Sequence, residues 1–527
     1  MGSDLRKHNI RDNFLARTNH RRSGLVARGL DREDEGFGQE PILSAKRIHG
    51  SVLKDFAISI IPALRDAGYQ AYLVGGCVRD LLLGREPADY DVATDATPDE
   101  VMRVFPETYA VGAQFGVVLV PVPDEEQPQM PRLRPNFAKR GSDSSGDDKG
   151  LGTTTSKSNV VEVATFRSDI GYSDGRHPDE VRFTSNPEQD VRRRDFTING
   201  MMLDPLVIDP LKDGVLDFVG GRKDLRDQII RAIGEPERRF AEDKLRMLRA
   251  VRFAARFEYT IEPGTFAAIQ KLAPQIHHVS RERVRDELTR MLTEGHARRA
   301  FVLLDETRLL REVLPEISAM KGVEQPPQFH PEGDVFVHTL LVLDKLPQPC
   351  PPTLAWGALL HDVGKPATFR VAPDRIRFDG HVDVGVKIAE EICRRLRFSN
   401  DDAEQILGLV DNHMRFAQVD RMKESTLKRF LRLPRFEEHL ALHRADCEAS
   451  HGDLRSYNLV REKMGSMRPE SIRPAPLVTG DDLIAAGYEP GPRFKEILTA
   501  VEDAQLEGRL PSKESAMELV RREFPPS

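Results

Sequence analysis

The sequence predicts an α+β protein, with its strands confined to the N-terminal part and a long helical remainder. Three observations carry that reading. Short β-branched runs, "QAYLVGG" (Gln70–Gly76), "FGVVLVPV" (Phe115–Val122) and "NVVEVATF" (Asn159–Phe166), are all bounded by turn residues or polar stretches. From about Asp217 onward, apolar residues recur at spacings of three and four, the signature of packed helices. At 527 residues the chain also exceeds what one core can organise, so several domains are expected.

Taken in order, residues 1–45 are polar, mixed in charge and aperiodic, and a disordered tail is expected there. A helix follows from Ile48 to about Leu64, and "QAYLVGG" is a buried strand ending in glycine. The runs at 115–122 and 159–166 form a strand pair interrupted by 124–158, a Pro-rich and then Gly/Ser/Asp/Thr-rich insertion expected to be disordered. A first domain thus spans 46–205. "PERRFAEDKLRMLRAVRFAARF" (Pro236–Phe257) reads as one long helix within a helical segment, 206–322. A linker with Gly322 and Pro326-Pro327 opens a His-rich helical region, 323–455. Short helices joined by Gly-Pro turns close the chain over 470–527.

Composition narrows the function. Hydrophobic residues make up 39% and charged residues 31%, and no run approaches the roughly 18–20 apolar residues needed to cross a bilayer. The N-terminus shows no apolar signal core, so a cytoplasmic protein with no membrane partner is expected. Cys77, Cys350, Cys393 and Cys447 lack CxxC spacing, which argues against a disulfide framework or zinc ribbon. A net charge of −7 gives no global pull on nucleic acid. A polyanion would need local patches such as "VRRRDF" (Val191–Phe196), "RAVRFAARF" (Arg249–Phe257) or "SRERVRDELTR" (Ser280–Arg290).

The chemistry concentrates in three constellations. In "GGCVRDLLLGREPADYDVAT", Gly75 and Gly76 lead from strand to helix, and Asp89 and Asp91 stand two residues apart. On a strand, i and i+2 share a face, so two carboxylates lie side by side at a cost that a cation relieves. Oxygen ligands suit Mg²⁺, and backbone N–H groups after the glycines can cradle phosphates. Glu162 is a candidate third acid, or simply an exposed strand residue. In the second constellation, Asp243 and Arg246 are i,i+3 neighbours opposite the buried stripe Leu245, Leu248, Val251 and Ala255. A carboxylate accepts from an exocyclic amine while a guanidinium donates to a ring nitrogen. That pairing suits cytosine and adenine and misfits guanine and uracil. The third is a His…His-Asp…Asp set, His338, His361, Asp362 and Asp446, whose ligand types suit Mn²⁺, Ni²⁺ or Mg²⁺. His381 and His413 are candidates for a second metal or for phosphate contacts.

These motifs carry a family resemblance that covers about Ile48 to Phe524. "GGCVRDLLLG…DYDVAT" resembles the nucleotidyltransferase signature of the DNA polymerase beta superfamily, and more narrowly class II tRNA nucleotidyltransferases and bacterial poly(A) polymerases. The resemblance implies a polymerase-beta-like head with a mixed or antiparallel sheet, a helical neck, an HD domain and a C-terminal tRNA-binding region. "EDKLR" matches the EDxxR base-selecting motif. "RRDFTIN" (Arg193–Asn199) matches an RRDFTxN element, implying that Arg193, Arg194, Asp195 and Asn199 handle the nucleotide, with Asp195 at the ribose 2′-hydroxyl. Gly75, Gly76 and Arg79 belong to the same nucleotide set, although the Arg79-Asp80 pair is expected mainly to brace the turn. "FRSDIGYSDGRHPDEVRF" (Phe166–Phe183) matches the loop linked to switching from C to A addition, and "RERVRDEL" a helical motif expected to be structural. The histidine set resembles HD phosphohydrolases that act on phosphate monoesters or 2′,3′-cyclic phosphates.

The expected activity is therefore addition of CCA to the 3′ end of tRNA from CTP and ATP, with catalytic Asp89 and Asp91 and Mg²⁺. The alternatives are an A-adding, CC-adding or poly(A)-adding enzyme, or an RNA-binding HD phosphohydrolase with an inactive head. Oligomeric state is left open between monomer and dimer.

Overall fold

The structure is a computed structural model that describes residues 43–109, 116–123, 160–170, 180–328 and 330–525. The insertion expected at 124–158, nearly all of the expected 1–45 tail and the middle of the 166–183 loop lie outside the described residues. Among the described residues, no helix is long and apolar enough to cross a membrane.

The N-terminal part is a six-stranded mixed sheet. In chain order it comprises α1 (Leu43–Asp66), β1 (Ala71–Val74), α2 (Gly76–Leu82), β2 (Asp91–Thr94), α3 (Pro98–Val104), β3 (Val117–Pro121) and β4 (Val160–Thr165). There follow β5 (Arg167–Ile170), β6 (Glu180–Phe183), α4 (Pro187–Arg192), β7 (Met201–Leu203), α5 (Pro210–Asp213) and β8 (Val215–Asp217). The strand order is β3-β4-β2-β1-β7-β8, with only the β2–β4 contact parallel; β5 and β6 form a separate hairpin. The expected pairing of β3 with β4 is present and antiparallel. Val118, Val120, Val161 and Val163 are buried, as alternation along half-covered strands requires.

Two features differ from the sequence reading. The edge strand β8 lies beyond residue 205, so the sheet takes in residues assigned above to the helical segment. At three residues β8 is too short to show a period-2 pattern. The long helix expected over 236–257 is broken into α7 (Pro236–Glu242) and α8 (Leu245–Phe257), separated from α5 by α6 (Gly221–Asp227). Asp243 takes an extended conformation (φ −141°, ψ 107°), and its Oδ1 accepts the N–H of Leu245 at 3.1 Å. An aspartate that can bond a nearby backbone N–H competes with the helix ladder and ends it. The stripe of Leu245, Leu248, Val251 and Ala255 is nonetheless buried as expected.

Helices α9 (Pro263–Leu272) and α10 (Arg281–Thr293) follow, and the chain stays largely helical to Glu523. The helix Pro352–Leu360 packs on α10, where the indole N–H of the buried Trp356 donates to Thr289 at 2.9 Å. Arg429 anchors the last helices through Glu502 and Asp503.

Candidate functional sites

All eleven residues proposed for metal and nucleotide in the head and neck line one cleft of about 520 Å³: Gly75, Gly76, Arg79, Asp89, Asp91, Arg193, Arg194, Asp195, Asn199, Asp243 and Arg246. Asp91 opens β2, and its cross-strand partner is Glu162 of β4. Asp89 lies just outside the strand and is exposed, so the pair is not the regular i,i+2 couple of a ladder. Tyr90 between them is 1% exposed, which fixes the local backbone. Burial, then the charges of Glu162 and Asp89, push the Asp91 carboxyl up to about 7, with Arg194 opposing. A convergence of acids that expensive is what a divalent cation offsets, so the residues present fit an oxygen-bound ion.

Gly75 sits at φ +80°, where a side chain is strained. A Cβ there would meet Arg194 Nη1 at 3.3 Å. The backbone at the mouth of α2 is thus open to a ligand and close to a guanidinium. Arg193 and Arg194 are both held by Asp190, at 2.6 and 3.0 Å, and Asp190 is 1% exposed. That acid was missed in the sequence, although its i,i+3 and i,i+4 spacing to the two arginines was available.

Asp195 is more committed than a lone hydroxyl reader would be. Its Oδ1 accepts from the Phe196 N–H (2.8 Å) and Asn199 Nδ2 (3.1 Å), and its Oδ2 from Arg249 (2.7 Å). Against the cost of burial, Arg249, Asn199 and Arg246 hold its carboxyl at about 2. Arg79 is 4% exposed, donates to Asp80 and Asn199, and stacks 4.6 Å from the Phe257 ring. It braces the turn and fixes Asn199.

Asp243 and Arg246 reach the cleft from the break rather than from one helix. The Arg246 guanidinium is pinned by Glu242 (2.9 Å) and by the carbonyls of Arg239 and Arg193 (both 3.1 Å). Asp243 Oδ2 accepts from Arg283 of α10 at 2.7 Å. The "RERVRDEL" helix therefore touches the site directly. Its Glu287, 2% exposed, also binds the buried Arg252 of α8 at 2.7 Å.

The second site lies among the later helices. His338 sits in Val335–Asp344, His361 caps Pro352–Leu360, and Asp446 is in Phe436–Ala449. Their ligand atoms fall within 4.8 Å of one another, and so do those of Asp362, His381 and His413. The two sets meet at Asp362. Its Oδ2 lies 3.2 Å from His361 Nε2, and its Oδ1 lies 3.8 Å from both His381 Nε2 and His413 Nε2. Lys365 Nζ also approaches Asp362, at 2.7 Å. Buried His338 Nε2 and His361 Nε2 face carboxylate oxygens, Asp446 Oδ1 at 3.0 Å and Asp362 Oδ2 at 3.2 Å, but neither meets strict hydrogen-bond geometry, which fits nitrogens and carboxylates converging on a shared ion. Burial drives His413 down to about 4, keeping it neutral, the form in which an imidazole can hold a metal. His330 and Glu332 form a third such group with His338 and were not singled out in the sequence. The cluster opens onto a cavity of about 450 Å³ lined in part by Phe378 and Met414.

Comparison with known proteins matches this layout. Residues 71–144 and 128–231 match the poly A polymerase head domain, 258–321 the probable RNA and SrmB-binding site of polymerase A, and 335–446 the HD domain. The matches follow one another along the chain as poly A polymerase head, RNA-binding segment and HD domain. It is 40% identical over 255 residues to the CCA-adding enzyme of Geobacillus stearothermophilus, covering 48% of this chain and 53% of that protein. It is 35% identical over 295 residues to that of Lactobacillus helveticus (strain DPC 4571), covering 55% and 64%. The chain thus spans about half to two-thirds of the length of these relatives. Among solved structures, the Bacillus stearothermophilus CCA-adding enzyme in complex with CTP matches with a TM-score of 0.62 and 27% identity, covering 88% of this chain and 97% of that one. A CCA-adding enzyme complex with ATP shares the fold at a TM-score of 0.56, with 17% identity. The family model places the head through residue 231, consistent with a sheet that includes β8.

Proposed function

We propose that this chain adds CCA to the 3′ end of tRNA, using CTP and ATP and no nucleic-acid template. The observation that carries the proposal is the single cleft shared by Asp89 and Asp91, the Gly75-Gly76 turn, and the Asp243/Arg246 pair. Asp89 and Asp91 would hold Mg²⁺, which supplies charge neutralisation at the triphosphate and a more acidic attacking hydroxyl. Arg193 and Arg194 face the phosphates, and Gly75 admits them close to the backbone. Asp243 accepts from the exocyclic amine of C or A while Arg246 donates to the adjacent ring nitrogen. The lone pairs of a carboxylate allow Asp243 to keep its bond to Arg283 at the same time. G and U would set acceptor against acceptor and donor against donor. The relatives named as CCA-adding enzymes and the match to a CTP complex support this reading.

The test is tRNA lacking its last three nucleotides, offered with each labelled nucleoside triphosphate. Incorporation of C and A, with GTP and UTP refused, is expected; equal use of all four overturns the proposal. The histidine cluster supports a second activity, metal-dependent hydrolysis of phosphate esters or 2′,3′-cyclic phosphates. Its ligands would be His338, His361, Asp362 and Asp446, with Mn²⁺, Ni²⁺ or Mg²⁺ as the ion.

A further inference from the structure

Four histidines converge on Asp362, and three solve the same problem in the same way. A ligating imidazole must carry its proton on one nitrogen to leave the other free, and the partner of the protonated nitrogen fixes that choice. His361 Nδ1 faces the carbonyl of Ala358 at 2.8 Å, His381 Nδ1 that of Phe378 at 2.9 Å, and His413 Nδ1 that of Val410 at 2.7 Å. Each is an i−3 carbonyl. His361 and His413 directly follow a helix and His381 opens one, and at helix ends such groups lie outside the regular ladder.

His338 differs. It lies in the first turn of Val335–Asp344, where the i−3 carbonyl of Val335 already accepts the hydroxyl of Thr339 at 2.9 Å. In its place stands a side chain, Glu332, whose Oε1 lies 2.6 Å from His338 Nδ1. Both side chains are buried, 0% and 6% exposed, and the same oxygen takes His330 Nδ1 at 3.0 Å. The oxygen sits off the ring N–H axis, so Nδ1 does not meet strict hydrogen-bond geometry. The carboxylate nonetheless stands 2.6 Å from Nδ1, and a carboxylate is a common outer partner of a ligating histidine.

We infer that Glu332 is the positioning residue of this centre, holding His338 in the tautomer whose Nε2 faces the ion site shared with His361 and Asp446. The inference rests on reading the cluster as a metal centre. Glu332 touches neither the ion nor the substrate in this account. It fixes the direction and strengthens the basicity of one ligand, a task the other three histidines delegate to the backbone.

The test uses the full chain with Asp89→Ala and Asp91→Ala, so that added Mn²⁺ reports the histidine cluster. Mn²⁺ affinity is measured by electron paramagnetic resonance, and ligand geometry by the visible spectrum of the Co²⁺ form. Glu332→Ala is expected to weaken Mn²⁺ binding about ten- to hundredfold and to alter the Co²⁺ spectrum. Glu332→Gln, which keeps an acceptor oxygen but loses the charge, is expected to fall between the two, and carries the test if Glu332→Ala does not fold. If both variants bind Mn²⁺ like the parent with an unchanged Co²⁺ spectrum, Glu332 is structural and the inference is overturned while the metal centre stands. If the parent itself binds no Mn²⁺, the metal centre falls, and the inference with it.

Discussion

Asp91 offers a sharp physical test of the cation site proposed in the head cleft. Its carboxyl is raised from 3.8 to about 7 by burial and by the neighbouring charges of Glu162 and Asp89. At about 1.4 kcal/mol per tenfold change, that displacement corresponds to about 4 kcal/mol, and solvent at the cleft mouth screens it to about 2 kcal/mol. The sign follows from the raised value. Well below 3.8 the carboxyl is neutral in both folded and unfolded chains and costs nothing. As pH rises towards 7 the unfolded chain ionises first, so stability falls, and above 7 the native protein carries the full cost. In metal-free protein, Asp91→Asn should therefore raise the melting temperature of the head at pH 8 by about 4–8 °C and leave it unchanged near pH 3. Added Mg²⁺ should stabilise the parent at pH 8 far more than the variant. Calorimetry in chelator and then in Mg²⁺ measures both. An offset that is the same at both pH values, or a destabilised variant at pH 8, refutes the account of the site.

Other perturbations follow from the same geometry. Arg252→Ala leaves the buried Glu287 without its 2.7 Å partner and should cost about 3 kcal/mol in chemical denaturation; a loss below about 1 kcal/mol would show that Arg249 and Arg290 suffice. Gly75→Ala puts a Cβ at positive φ and 3.3 Å from Arg194. It should cut nucleotide addition at least about tenfold with little change in RNA binding, because 1–3 kcal/mol of strain falls where the phosphates pass; unchanged kcat contradicts this. Asp362→Ala should abolish metal-dependent phosphate-ester hydrolysis and leave nucleotide addition intact. Loss of both would mean that the two sites are not separable.

Much of this arrangement was legible in the sequence because its signals are local. The glycine turn, the two aspartates, RRDFTIN and the histidine set each occupy a short stretch whose chemistry reads directly. Part of what escaped depends on contacts between distant segments, as where Arg283 reaches Asp243 across forty residues. Glu332 looks like a loop residue until Val335–Asp344 folds beside it, whereas Asp190 was legible from its i,i+3 and i,i+4 spacing to Arg193 and Arg194 and was passed over. The break at Asp243 escaped for a different reason. A helical period runs through it, and only the carboxylate's bond to Leu245 reveals that the chain stops and restarts there. That break brings Asp243 and Arg246 to the cleft by a route the helical wheel did not predict.

The central claim is that the protein itself, through Asp243 and Arg246, chooses the base. The most direct measurement is kcat/KM for CTP, ATP, GTP and UTP on truncated tRNA, comparing the parent with Asp243→Ala. The account predicts that the variant still extends tRNA while its preference for C and A over G and U collapses by about tenfold or more, the loss of one good paired contact. A variant that loses activity but keeps the parent's base preference would contradict it.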